Sequence, residues 1–207
     1  VVLFAIAQNL LWLVGIHGPN TLNALRSVIF TEADLSNQQF INAHGTAWGV
    51  PYRVTWGTMN DVFANMGGSG MTLGLLIAIF IASKREDYRS IAKMAFVPGL
   101  FNINEPLMFG LPIVMNPILA VPFVLTPVIN ILVGYCVTSV WNLIPTPAFG
   151  LTWTTPGPLM PFLGTGGNLL GLVIGFICLG ISILTYLPFV IAANRVAQKE
   201  QQDTQNA

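Results

Sequence analysis

Charge is what this sequence has least of. Asp, Glu, Lys and Arg together make up 8% of its 207 residues, while apolar residues make up 54%. Soluble globular domains carry roughly 25% charged and 45 to 50% apolar residues, so the charge deficit is what excludes a water-solvated fold. The deficit is also uneven: between Lys93 and Arg195, Glu105 is the only Asp, Glu, Lys or Arg. A stretch of that length with one charge has hydrocarbon as its solvent.

Other absences narrow the field. Net charge is zero, so the basic footprint that nucleic-acid binding requires is missing and no nucleic-acid partner is expected. The two cysteines, Cys136 and Cys178, sit in apolar runs (ILVGYCVTSV and GFICLGIS) without metal-type spacing or a neighbouring base, and read as small buried hydrophobes. No metal site and no cofactor are expected. The chain opens at Val1 inside an apolar run (VVLFAIAQNLLWLVGIHG) without the basic flank and small-residue cleavage site of a signal peptide, which reads as a piece of something longer. At about 20 residues per element, 207 residues can hold five or six membrane elements.

What is present divides the chain. Residues 1–16 form an apolar helical segment, broken by Gly15, Gly18 and Pro19. The polar stretch from Thr31 to Asp61, with Glu32, Asp34 and Arg53, reads as an extramembrane loop leading into a hairpin. Residues 62–83 are uncharged but interrupted by Gly67, Gly68 and Gly70, which predicts a broken first part and an apolar helical second part. The basic cluster Lys84, Arg85, Arg89 and Lys93, and later Arg195 and Lys199, each adjoin an apolar segment, so both face the cytoplasm by the positive-inside bias. Two cytoplasmic ends need an even number of crossings, which 117–142 and 168–191 supply. The membrane-embedded part is expected over 1–194 and a cytoplasmic tail over 195–207.

Residues 94–116 and 145–167 then either enter and leave on the same side or together make two more crossings, and their composition favours the first. The first holds Pro98, Pro106 and Pro112 among Asn102, Asn104 and Asn116, with Pro117 just beyond; the second holds Pro145, Pro147, Pro156, Pro158 and Pro161 with Gly157, Gly164, Gly166 and Gly167. Proline removes a backbone donor, and non-helical backbone at membrane depth persists only where protein or a watery cavity surrounds it. Broken segments of this kind point to a transporter binding site.

A Glu at membrane depth is costly and therefore marks function unless it caps a helix end near the interface. Pro106 is expected to push Glu105 out of the helical region and present its side chain at the break. His17, in VGIHGPN, fits a satisfied structural histidine as well as a site residue; His44, in NAHGTAW, reads as a solvated loop residue. Trp153, in LTWTTPGP, fits either an interfacial anchor or a platform on which a sugar ring stacks. One carboxylate, one imidazole, the amides of Asn104 and Asn102 and an aromatic wall suit a neutral, hydroxyl-rich solute. An anionic one would call for Arg or Lys, and the long apolar half has neither.

The run NINEPLMFGLPIVMNPILAVPFVLTPVIN strongly resembles the membrane-embedded IIC component of the bacterial phosphotransferase system, in its lactose, cellobiose and diacetylchitobiose family. GIHG, MGGSG and WTTPGPLMPFLGTGG fit the same family in the same order. The resemblance spans essentially the whole chain and the C-terminal half of a typical member. It implies an all-α integral membrane fold with transmembrane helices and re-entrant hairpins, the sugar-binding half of a multi-pass permease in the bacterial cell membrane, with its C-terminus cytoplasmic. It implies a β-linked disaccharide as substrate, a phosphorylated IIB protein as partner, and a homodimer formed through the N-terminal half that is missing here. By the same resemblance His17 and Glu105 lie near the reacting C6 hydroxyl as catalytic groups, and Gly18, Asn104 and Trp153 join them as substrate contacts. Glu105 would be the general base and His17 would orient the hydroxyl.

Two other readings remain at this point. A cation-coupled carrier of a neutral polar solute would use Glu105 as its proton or cation site, but such carriers usually hold several membrane acids. A purely structural membrane subunit would have no reason to cluster Pro, Gly and Asn around that carboxylate.

Overall fold

The computed structural model describes residues 1–111, 113, 114 and 116–206, and their side chains except at 200, 201 and 204–206. Pro112, one of the prolines expected to break the segment after Glu105, lies outside the described residues. Among those described there are eight α-helices and no strand.

Helix α1 covers Val2–Leu13 and ends where Gly15 turns the chain with φ +81°. The next helix, α2, covers Gly18–His44. Its start is fixed by His17, whose side chain accepts from the Asn20 N–H at 3.3 Å, and by Pro19 in the first turn. Here the expectation of a loop from Thr31 fails: the stretch is helical as far as His44. Neither glycine nor proline occurs from 20 to 44, so nothing in the backbone stops the helix until Gly45, which adopts φ +67° at its end. His44 is solvent-exposed as expected, yet it closes the helix, stacked on Phe40 with ring centroids 4.1 Å apart.

The interrupted segment is broken as its glycines foretold. A π-helical turn at Trp56–Asp61 is followed by Gly67, Gly68 and Gly70, all with positive φ, a 3-10 turn at Ser69–Met71, and then α3, Thr72–Ala82. Carbonyls released at this break are taken up from α8, Leu169–Asn206. The Tyr186 hydroxyl donates to the Gly70 carbonyl at 2.6 Å and the Ser182 hydroxyl to that of Met71 at 3.1 Å. Irregular backbone in an apolar setting needs such donors, since lipid offers none.

Helix α4 runs Glu86–Leu100 with Pro98 inside its last turn, and α5 is the short Glu105–Gly110. Glu105 is therefore the first helical residue of α5 and not outside it, as expected from Pro106. The reason is positional: in the first turn a backbone N–H would have no intrahelical acceptor, so the donor that proline lacks is not missed. Helix α6, Pro117–Tyr135, continues as a π-helical turn at Cys136–Val140; irregular chain then leads to a 3-10 turn at Gly157–Leu159 and α7, Met160–Gly164.

Two helical stretches are long and apolar enough to cross a membrane, Pro117–Val140 and Leu169–Lys199. The first, with 24 residues, rises about 36 Å, against a hydrocarbon core of about 30 Å. Helix α3 packs against α4 and α8, and α6 packs against α1 and α8. Trp12, Leu107, Phe123 and Tyr186 fill one core cluster, and Phe63, Met66, Met71 and Cys178 another. The opposite faces keep Val121, Leu125 and Leu132 of α6 and Leu169, Val173, Phe176 and Leu184 of α8 exposed. Helices apolar on all sides, with large aliphatic side chains uncovered, suit a lipid surround. Inside α6 the Thr126 hydroxyl and the Asn130 amide turn back onto the carbonyls of Pro122 and Thr126 at 2.6 and 3.0 Å, hiding those polar groups from lipid.

Candidate functional site

The loop between α4 and α5 organises the site. Asn102 sits at φ +64°, a left-handed conformation that asparagine tolerates. Its side chain ties three segments together. Oδ1 accepts from the Gly67 N–H at 2.8 Å, and Nδ2 donates to the carbonyls of Trp153 and Thr155 at 2.7 and 2.8 Å. Asn104 is buried, and its amide donates to the Ser69 carbonyl at 2.9 Å; Ser69 Oγ in turn accepts from Trp12 Nε1 at 3.1 Å. Gly68 admits this approach because a Cβ there would come 2.8 Å from both the Asn102 carbonyl and the Asn104 side chain. The His17 ring lies 4.6 Å from the Trp12 ring, tilted by 51°.

These segments enclose a cavity of about 740 Å³, and His17, Asn104, Glu105 and Trp153 all line it. The Glu105 carboxylate is half-buried at the start of α5 and, among the described residues, has no hydrogen-bond partner, which leaves both oxygens available to a ligand. Trp153 is 63% exposed and lines the cavity, with its backbone carbonyl held by Asn102. Gly18 is brought close to His17 by sequence but not into the cavity wall. A Cβ on it would fall 2.0 Å from the Gln8 carbonyl, so its place is the tight contact between α1 and α2. The amide of Asn102 is committed to the backbone bonds above.

The cavity also contains groups that the sequence did not single out. Asn20, Asn23, Arg26, Asp34, Asn37 and Gln38 line it from α2, and Trp56 and Asp61 from the following turn. The α2 positions recur at helical spacing, a polar stripe that would have been visible had the stretch been read as helix. Arg26 brings a cation into the site from outside the apolar half, and Asp34 and Asp61 bring two further carboxylates. Both acids lie outside the two spanning helices. Burial pushes Asp61 up to about 6, with the Asn60 amide and Arg26 opposing and Asp34 assisting. Burial also raises Asp34, against the Thr55 hydroxyl, the Gly57 N–H and Arg26.

A chain with this arrangement has known relatives. The family profile described as "Phosphotransferase system, EIIC" matches residues 1–127. The cellobiose-specific EIIC component of Lactococcus lactis subsp. lactis is 33% identical over 97% of this chain and 44% of its own length. The lichenan permease IIC component of Bacillus subtilis is 34% identical over 95% of this chain and 42% of its own. The crystal structure of the transporter ChbC, the IIC component from the N,N'-diacetylchitobiose-specific phosphotransferase system, superposes with a TM-score of 0.88 at 32% identity, over 97% of this chain and 46% of that one. The chain thus spans less than half the length of these relatives, and shares with them an all-α, membrane-associated fold. Since the profile covers more than half of its residues, the chain belongs to the EIIC family of the phosphotransferase system.

Proposed function

We propose that this chain is the sugar-binding half of a phosphotransferase permease that takes up a β-linked disaccharide and presents its C6 hydroxyl for phosphorylation. The donor is the phosphocysteine of a IIB partner. What supports the reading is that the one carboxylate of the long apolar half, Glu105, lines the same cavity as His17, Asn104 and Trp153, in a chain whose relatives carry cellobiose-specific and lichenan-permease names. The broken elements around Gly67 to Gly70 and around α7 act as re-entrant hairpins. Residues 1–194 form a multi-pass membrane unit, 195–207 a cytoplasmic tail, and the working form is a homodimer.

In the transfer, the C6 oxygen attacks phosphorus while the phosphorus–sulfur bond of phosphocysteine breaks and the thiolate leaves. The hydroxyl proton passes to the Glu105 carboxylate, which releases it after the product departs. His17 orients the hydroxyl, and its own orientation comes from the α2 cap and the Trp12 ring. Asn104 is held by Ser69 at the base of the site, and Trp153 offers an apolar face to a pyranose ring.

Glu105→Gln in the full-length protein tests the assignment. Loss of general-base help should cut sugar phosphorylation by about 10² to 10⁴, with sugar affinity changed much less. Phosphorylation and binding both at the parent level would remove Glu105 from this role. A second reading gains from the structure. With Asp34 and Asp61 lining the same cavity as Glu105, the site has the several acids that a cation-coupled carrier usually holds. In that case the sugar would arrive unmodified.

A further inference from the structure

A groove of about 450 Å³ lies outside the cavity described above, along α6. Leu3, Phe4, Phe30, Val54, Leu132 and Tyr135 line it, and the Tyr135 hydroxyl is the only polar group among its lining side chains. Leu3, Val54, Leu132 and Tyr135 are exposed. One end of the groove carries a cation. Arg53, next to Val54, donates to Asn142 Oδ1 at 2.6 Å, and Asn142 follows directly on the span to which Leu132 and Tyr135 belong. The Arg53 guanidinium is solvent-exposed and forms no ion pair among the described residues, so its remaining N–H donors are open. Exposed Tyr52 and Trp141 adjoin Arg53 and Asn142 in the chain. Such aromatic side chains with a polar tip settle at headgroup level, which puts Arg53 at the membrane surface and the groove below it.

The shape and the charge select the occupant together. From Val140 back to Leu132 the helical stretch descends about 12 Å, most of one leaflet of a hydrocarbon core about 30 Å thick. A packed helix, about 10 Å across, would take up about 900 Å³ over that length, twice what the groove holds. A single flexible hydrocarbon chain fits it. At the top, the planar guanidinium fork matches phosphate oxygens, and a wholly apolar occupant would leave it unanswered. An apolar tail below and an anion above describe a phospholipid, and a cation at the end of a membrane span attracts anionic headgroups.

We propose that this groove binds one anionic phospholipid, whose phosphate pairs with Arg53 and whose acyl chain lies against Leu3, Phe30, Leu132 and Tyr135. Bound there, the lipid joins α1, α2 and α6 to the loop that precedes the π-helical turn at Trp56–Asp61. It touches none of the groups assigned to the transfer chemistry.

The test uses the full-length protein, purified and stripped of lipid in detergent, and follows its thermal transition as dioleoylphosphatidylglycerol is titrated. Dioleoylglycerol supplies the tails without the phosphate, and glycerol 3-phosphate the phosphate without the tails. The anionic lipid should raise the transition, half-saturating at about a tenfold lower concentration than dioleoylglycerol, and glycerol 3-phosphate should leave it unmoved. Arg53→Gln should weaken the response to the anionic lipid by about five- to tenfold and that to dioleoylglycerol by less than about twofold. Arg53→Lys should recover most of the loss. Leu132→Trp, which fills the groove from an exposed position, should weaken both lipids by about tenfold; Leu3→Trp repeats the block from the α1 side should the first variant fold poorly. Equal half-saturation in the wild type and Arg53→Gln would remove the phosphate contact. An unchanged response in the blocking variant would mean that another part of the full-length protein fills the groove. Either result overturns the proposal, as does a transition raised equally by glycerol 3-phosphate or by no lipid at all.

Discussion

Asp61 shows what a single residue contributes and what its sequence position conceals. Its carboxyl is pushed from an ordinary 3.8 up to about 6 by burial, so the folded protein keeps a proton that the unfolded chain has already released. Between about pH 4 and 6 folding therefore becomes less favourable as pH rises, and above that window this group adds no further slope. Arg26 and Asp34 are the charged groups facing it, the first favouring ionisation and the second opposing it. In detergent, the thermal transition of the wild-type protein should fall from about pH 4.5 to pH 7, and Asp61→Asn should flatten that dependence. Equal slopes in the two proteins would assign the titration elsewhere. Glu105 was legible in the sequence because it stands alone among apolar residues, and His17, Asn104 and Trp153 because they sit in motifs of a recognisable family. Asp61, Asp34 and Arg26 were not, because a charge in a polar stretch carries no contrast. Gly18 was placed among the substrate contacts by its neighbour His17, yet it packs against Gln8.

At the scale of elements, the joints matter more than the helices. Asn102 joins the MGGSG break, the α4–α5 turn and the WTTP loop with three hydrogen bonds. Asn102→Ala removes all three and also disfavours the left-handed backbone, for a predicted loss of about 2 to 4 kcal/mol. A lowered thermal transition in detergent, together with weaker sugar binding as the Trp153 loop comes loose, is the expected result; an unchanged transition would mean that the three segments hold together without it. The breaks at Gly67 to Gly70 and the helical segments around 117–142 and 168–191 were legible, since glycine and long apolar runs act on the backbone directly. Helix α2 was not. Its polar residues line a cavity while Leu25, Val28, Ile29 and Leu35 face outward, which inverts the usual relation between polarity and exposure and gives the stretch the polar average of a loop. Glu105 at the first position of α5 was missed for a related reason: the rule that a residue before proline avoids helix weakens within a first turn.

For the whole molecule, two helical stretches long and apolar enough to cross a membrane stand beside a cavity that α1, α2 and the broken segments line, and that cavity holds three carboxylates, one guanidinium and several amides. The number of acids does not by itself separate a phosphotransferase permease from a cation-coupled carrier. The fate of the sugar does. The most direct measurement places the full-length protein in membrane vesicles with the soluble phosphotransferase components and labelled cellobiose or diacetylchitobiose, and analyses the sugar that reaches the cytoplasmic side. A phosphotransferase permease delivers phosphorylated sugar, whose formation needs the IIB protein and is lost in Glu105→Gln. Free sugar, with uptake that collapses along with the ion gradient, would contradict this reading.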